Sequence, residues 1–90
     1  MMRIDRIPST VFTSLENGNG VLLNMDTLCY YSLNKTGVAV WKQLEQKNSV
    51  ALEDITRSIC ERFDVTEDAA QIDLRAFVEH LARFQMVTIT

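Results

Sequence analysis

Cys29, Cys60 and His80 are the residues of this chain whose types could support nucleophilic or metal chemistry. A cysteine becomes a working nucleophile when a base sits beside it, so Cys29 would need a histidine as its neighbour. His80 falls in the middle of a helical pattern, close to Glu79 and Arg83, and reads as a solvated surface histidine. Cys60 lies next to the apolar stripe of another helix and behaves as a small buried hydrophobe. A structural zinc takes about four ligands, whereas two cysteines thirty-one residues apart and a single histidine offer fewer. No metal and no cofactor is therefore expected. The sequence contains no GxSxG, no phosphate-binding P-loop and no HExxH. Its residues speak for binding, and the elements decide where binding happens.

Ninety residues make one domain. A chain of this size buries roughly two-thirds of its unfolded surface, enough for a modest core. An apolar fraction of 47% is that of a globular protein. The net charge of −3 is unevenly placed: residues 1–48 carry five basic and four acidic groups (+1), residues 49–90 four basic and eight acidic (−4). Such a balance repels a nucleic-acid backbone. The start, MMRIDRIPST, lacks the apolar core of a signal peptide, and no run nears the ~18 apolar residues that span a membrane. The expectation is a cytoplasmic protein with both cysteines free, and neither nucleic acid nor membrane as partner.

Residues 1–10, with the only proline, read as an extended N-terminal arm ahead of a domain over residues 11–90. Residues 11–16, 21–24 and 28–33 have strand character. Asn17-Gly18-Asn19-Gly20 supplies a turn between the first two, because Asn and Gly tolerate positive φ. The three strands form an antiparallel meander. The period then changes to about 3.6. Asn34 can cap a first helix, with Leu33 and Val38 at the positions of a hydrophobic staple and Val38, Trp41 and Leu44 on its inner face. Residues 45–49 are polar and end it. Leu52, Ile55, Ile59 and Phe63 mark a second helix. Thr66 caps a third, with Glu67 and Asp68 in its first turn and Ala70, Leu74, Phe77, Leu81 and Phe84 as its core stripe. Residues 86–90 alternate like a short last strand. The fold class is α+β: a winged helix-turn-helix-like domain, a three-stranded antiparallel sheet packed on three helices.

The strand LCYYSL holds the most telling pattern. Cys29, Tyr31 and Leu33 point to one face, and Leu28, Tyr30 and Ser32 to the other. If the first set packs on the helices, the second lies on a face or edge with nothing obvious to cover it. Both sets could be ordinary core, with only the tyrosine hydroxyls wet. The functional alternative is an open edge that accepts a further strand. On the third helix, Ala69, Ile72 and Ala76 lie away from the core stripe. With Asp73, Glu79 and His80 beside them they could line a shallow groove, although alanines are common on exposed helices and one exposed isoleucine is ordinary. As a DNA-reading helix it is poor: Glu67, Asp68, Asp73 and Glu79 against Arg75 and Arg83 give a net of −2, where base readout relies on Arg, Lys, Asn and Gln.

The stretch VLLNMDTLCYYSLNKTGVAVW is similar to the signature of PqqD-like proteins, the small partners named after pyrroloquinoline quinone synthesis protein D. That signature falls here on Val21, Leu22, Leu23, Tyr30, Tyr31, Leu33, Asn34, Thr36, Gly37, Val40 and Trp41. ITRSICERFDV and DLRAFVEHLARFQMV resemble the family's second and third helices, so the likeness runs over residues 11–89. It departs at Phe84-Gln85-Met86-Val87, where the family usually has a glycine before the final apolar pair. The resemblance implies a recognition element for the leader of a ribosomally made precursor peptide. It places the leader as an added strand between third strand and third helix, and implies presentation to a maturation enzyme such as a radical SAM protein or a leader peptidase. Quinone-cofactor (PQQ biosynthesis) and lasso-peptide pathways both fit. By residue matching, the peptide-binding residues are Leu28, Cys29, Tyr30, Tyr31, Ser32 and Leu33 on the strand, with Ile72, Asp73, Ala76 and Glu79 on the helix. Two rival readings are a winged-helix DNA-binding regulator and a self-associating structural module, a homodimer formed when the open edge pairs with its own copy.

Overall fold

The computed structural model describes residues 2–90. Its elements in chain order are β1 (Arg3–Arg6), β2 (Thr10–Ser14), a 3₁₀ turn (Glu16–Gly18), β3 (Gly20–Asn24), β4 (Tyr30–Leu33), α1 (Lys35–Lys47), β5 (Ser49–Ala51), α2 (Leu52–Arg62), α3 (Glu67–Arg83) and β6 (Val87–Ile89). β2, β3 and β4 form the antiparallel meander expected from the sequence, in that spatial order. Alternation does what it should in β3: Gly20, Leu22 and Asn24 are buried, Val21 and Leu23 half-exposed. Gly20 is required by close packing, since a Cβ there would collide with the Phe12 ring.

α1 begins as its sequence dictates. Asn34 Oδ1 accepts the Gly37 N–H at 2.9 Å, and Leu33 and Val38 are both buried on either side of that cap. The polar residues 45–47 do not break the helix; they ride on its solvent side as good helix formers. It ends one residue later, where Asn48 turns to φ 64 and returns its N–H to the Leu44 carbonyl. Thr66 Oγ1 caps α3 through the Ala69 N–H at 3.3 Å. Ala70, Leu74, Val78 and Leu81 bury the inner face of α3. Val78 replaces Phe77 and Phe84 there, since Phe77 is half-buried and Phe84 exposed.

The N-terminal arm carries a strand. β1 is the central strand of a second antiparallel sheet, ordered β5-β1-β6, with Ile4 opposite both Val50 and Ile89. Ile4 is fully buried, so this strand contributes to the core. The C-terminal strand also belongs to this sheet and not to the meander. Trp41, Leu44, Ile55, Leu81, Met86 and Val87 fill the shared interior with Ile4 and Leu22.

Candidate peptide-binding edge and cleft

Among the described residues, β4 has a partner on one side only. The Asn24 N–H donates to the Cys29 carbonyl at 3.0 Å. In an antiparallel ladder, hydrogen-bonded and non-bonded pairs alternate, so Leu22–Tyr31 and Gly20–Leu33 are the bonded pairs of this register. Tyr30 and Ser32 therefore aim their N–H and C=O groups away from β3, toward the free edge. Their side chains are out as well: Tyr30 is 66% and Leu28 66% exposed. Cys29, Tyr31 and Leu33 face inward, as the alternation requires.

Below that edge, Tyr31 joins β4 to α3. Its ring lies 6.1 Å from Phe77 and 5.3 Å, edge-on, from Phe84. Both phenylalanines fit the core stripe by their spacing; periodicity alone does not distinguish the flank of a buried face from its centre. A cleft of about 290 Å³ opens beside this cluster, between the start of α1 (Asn34, Thr36, Gly37) and Asp73, Leu74 and Phe77 of α3. Gly37 keeps it open. A Cβ there would come within 3.3 Å of Phe77 and 3.1 Å of Leu33.

At about 100° per residue, the positions on α3 that follow Phe77 and Phe84 away from the core are Asp73 and His80, then Ala69 and Ala76. These are exposed, and the two alanines leave room for a backbone to approach. Ile72 lies beyond them. It is 71% exposed and lines a separate shallow depression with Asp68, Gln71 and Arg75. Glu79 is farther round still, its carboxylate 3.5 Å from Arg75 Nε. Of the helix residues singled out in the sequence, Asp73 lines the cleft and Ala76 flanks it, while Ile72 and Glu79 sit at and past its outer rim.

Asn24 ties the meander to the end of α3. Its side-chain oxygen accepts the N–H groups of Asp26 (2.9 Å) and Thr27 (3.2 Å) and the Ser9 hydroxyl (3.1 Å). Its amide donates to the Gln85 carbonyl at 2.6 Å. One buried side chain thus ties the β3–β4 turn to the α3–β6 turn. Gln85 adopts φ 63 and Leu28 φ 60. The first is the left-handed conformation a glycine would take without cost, at the point where the sequence departs from its resemblance.

Cys29 and Cys60 are free and half-buried, and His80 is exposed. No helix of the described residues is long and apolar enough to cross a membrane.

Comparison with known proteins places these features in a family. No curated protein matches the chain significantly. A solved structure described as TbiB1 in complex with the TbiA(beta) leader peptide is 26% identical, with a TM-score of 0.82 over 92% of this chain and 93% of that one. A lasso peptide synthetase B1 complexed with the leader peptide shares the fold at 21% identity, with a TM-score of 0.78 over 94% of this chain and 96% of that one. The family model for coenzyme PQQ synthesis protein D (PqqD) matches residues 19–87. With that match spanning most of its length, the chain belongs to the PqqD family.

Proposed function

We propose that this chain is a non-catalytic adaptor that holds the leader of a ribosomally made precursor peptide as an extra strand on β4 and presents it to a modifying enzyme. The observation that carries this reading is the free edge at Tyr30 and Ser32, whose main-chain groups face away from β3, on a strand whose Tyr31 packs against Phe77 at the side of a cleft. The two leader-bound relatives support it, and a lasso-peptide client is the closer analogy than a quinone precursor. The chemistry of modification belongs to the enzyme served, a leader peptidase or a radical SAM protein.

Energetics say what the leader must bring. Tyr30 and Ser32 offer four main-chain groups, each bond worth about 0.5–1.5 kcal/mol net. Ordering a flexible peptide costs about 2–5 kcal/mol, and micromolar affinity requires about 8 kcal/mol. The ladder alone falls short, so apolar leader side chains pack on Tyr31 and Phe77. Asp73 and Ala76 border that contact and Ile72 forms its outer rim.

Proline at an edge position removes one outward N–H without breaking the inner ladder. Ser32→Pro should therefore weaken binding of synthetic leader peptides about two- to tenfold in calorimetry while far-UV circular dichroism stays native. Unchanged affinity in the folded variant would refute strand addition at β4.

A further inference from the structure

A second surface lies on the opposite side of α1 from the cleft. Lys35, Lys42 and Arg62 converge on a depression of about 300 Å³ between the 3₁₀ turn, α1 and the end of α2. Its floor is apolar, made of Val38, Ala39 and half-buried Phe63. No carboxylate lines it. Among the described residues the ion pairs are Arg57–Asp54 and Arg75–Glu79, so none of these three cations is neutralised. This concentration of positive charge stands out in a chain whose net charge is −3.

Two of the cations are held in place. The stem of Lys35 lies against Gly18, 3.4 Å from where a Cβ would project, and Gly18 sits at φ 80. The Arg62 guanidinium rests over the Phe63 ring at 5.9 Å, within cation–π range. Packing of the stems leaves the charged ends free to bind.

We infer that this depression docks a carboxylate-rich segment of a partner protein, which, on the adaptor reading above, is the enzyme that acts on the held leader. Three unpaired cations supply the complementary charge. The apolar floor gives a peptide segment side-chain contacts that a bare phosphate would not use. The acidic remainder of the molecule repels the same segment elsewhere, which fixes its approach. Along α1, Lys35, Val38, Ala39 and Lys42 share one side and Thr36 and Gly37 another, so client and enzyme can be bound together.

The probe is an acetylated hexaglutamate peptide, titrated into the full chain and followed by the backbone amide resonances of Lys35, Lys42, Arg62 and Phe63. Saturable shifts at those amides are expected, weakened about tenfold or more by raised salt. The double variant Lys42→Glu/Arg62→Glu should lose them while binding leader peptide as the wild type does. An absence of shifts, shifts that survive the double variant, or equal saturation by inorganic phosphate would each overturn the inference. Failure of any leader to bind the wild type would instead refute the adaptor reading and leave the hexaglutamate result standing.

Discussion

Leu28 and Gln85 share a positive φ that ordinary side chains avoid, and they lie in the two turns that Asn24 joins. A left-handed L-residue costs about 1–2 kcal/mol, and glycine recovers this less its own entropy of about 0.5–1 kcal/mol. Gln85 is exposed and contributes its carbonyl to Asn24, a bond any residue can supply. Gln85→Gly should therefore raise stability by up to about 1 kcal/mol and leave leader affinity unchanged. Leu28 differs because its exposed side chain stands at the start of the edge proposed to bind the leader. Leu28→Gly should raise stability similarly but weaken leader binding, as expected where strain is retained for function. Thermal melts and calorimetry on both variants check the pair. A loss of affinity in Gln85→Gly, or none in Leu28→Gly, would separate strain from function differently.

At the scale of elements, the start of α1 and α3 line the cleft beside β4, and the residues of β4 and α3 should rank by distance from the Tyr31–Phe77–Phe84 cluster. Phe77→Ala removes the ring that would lie under the proposed guest strand and should weaken leader binding about ten- to a hundredfold, as truncating a buried aromatic anchor does. Ile72→Asp, at the outer rim, should weaken it less and leave the fold intact; the reverse order by calorimetry would move the peptide's path outward across α3. The strand half of this site was legible from residue order: Tyr30 and Tyr31 must point to opposite faces, and Asn34 must start a helix next to Leu33. The helix half was less so. Phe77 and Phe84 fit the core period equally well, and only the position of Tyr31 shows that they turn toward the sheet. β1 was hidden for another reason. Arg3–Arg6 contains a single apolar residue, and its partners Ser49–Ala51 and Val87–Ile89 are three-residue strands far away in sequence. No local pattern announces a pairing of that kind.

That second sheet ties the whole molecule together. β1 joins the segment before α2 to the segment after α3, through Ile4 opposite Val50 and Ile89, with further backbone bonds from Arg3 to Thr90 and from Leu52 to Met2. The α2–α3 pair is closed at its open end by this strand, and the lower wall of the cleft is set by where α3 is held. A domain of this length is stable by only about 5–15 kcal/mol. Ile4 is fully buried, and its truncation to alanine in a core costs about 2–5 kcal/mol. Ile4→Ala should thus lower the melting temperature sharply and reduce leader affinity as α3 loosens, although Ile4 lies in the other sheet from the edge strand β4. Removing residues 1–6 should abolish the cooperative transition, because β5 and β6 lose their shared partner. A truncated chain that melts like the full one would mean that β1 is dispensable, and that α3 is held by the helices alone.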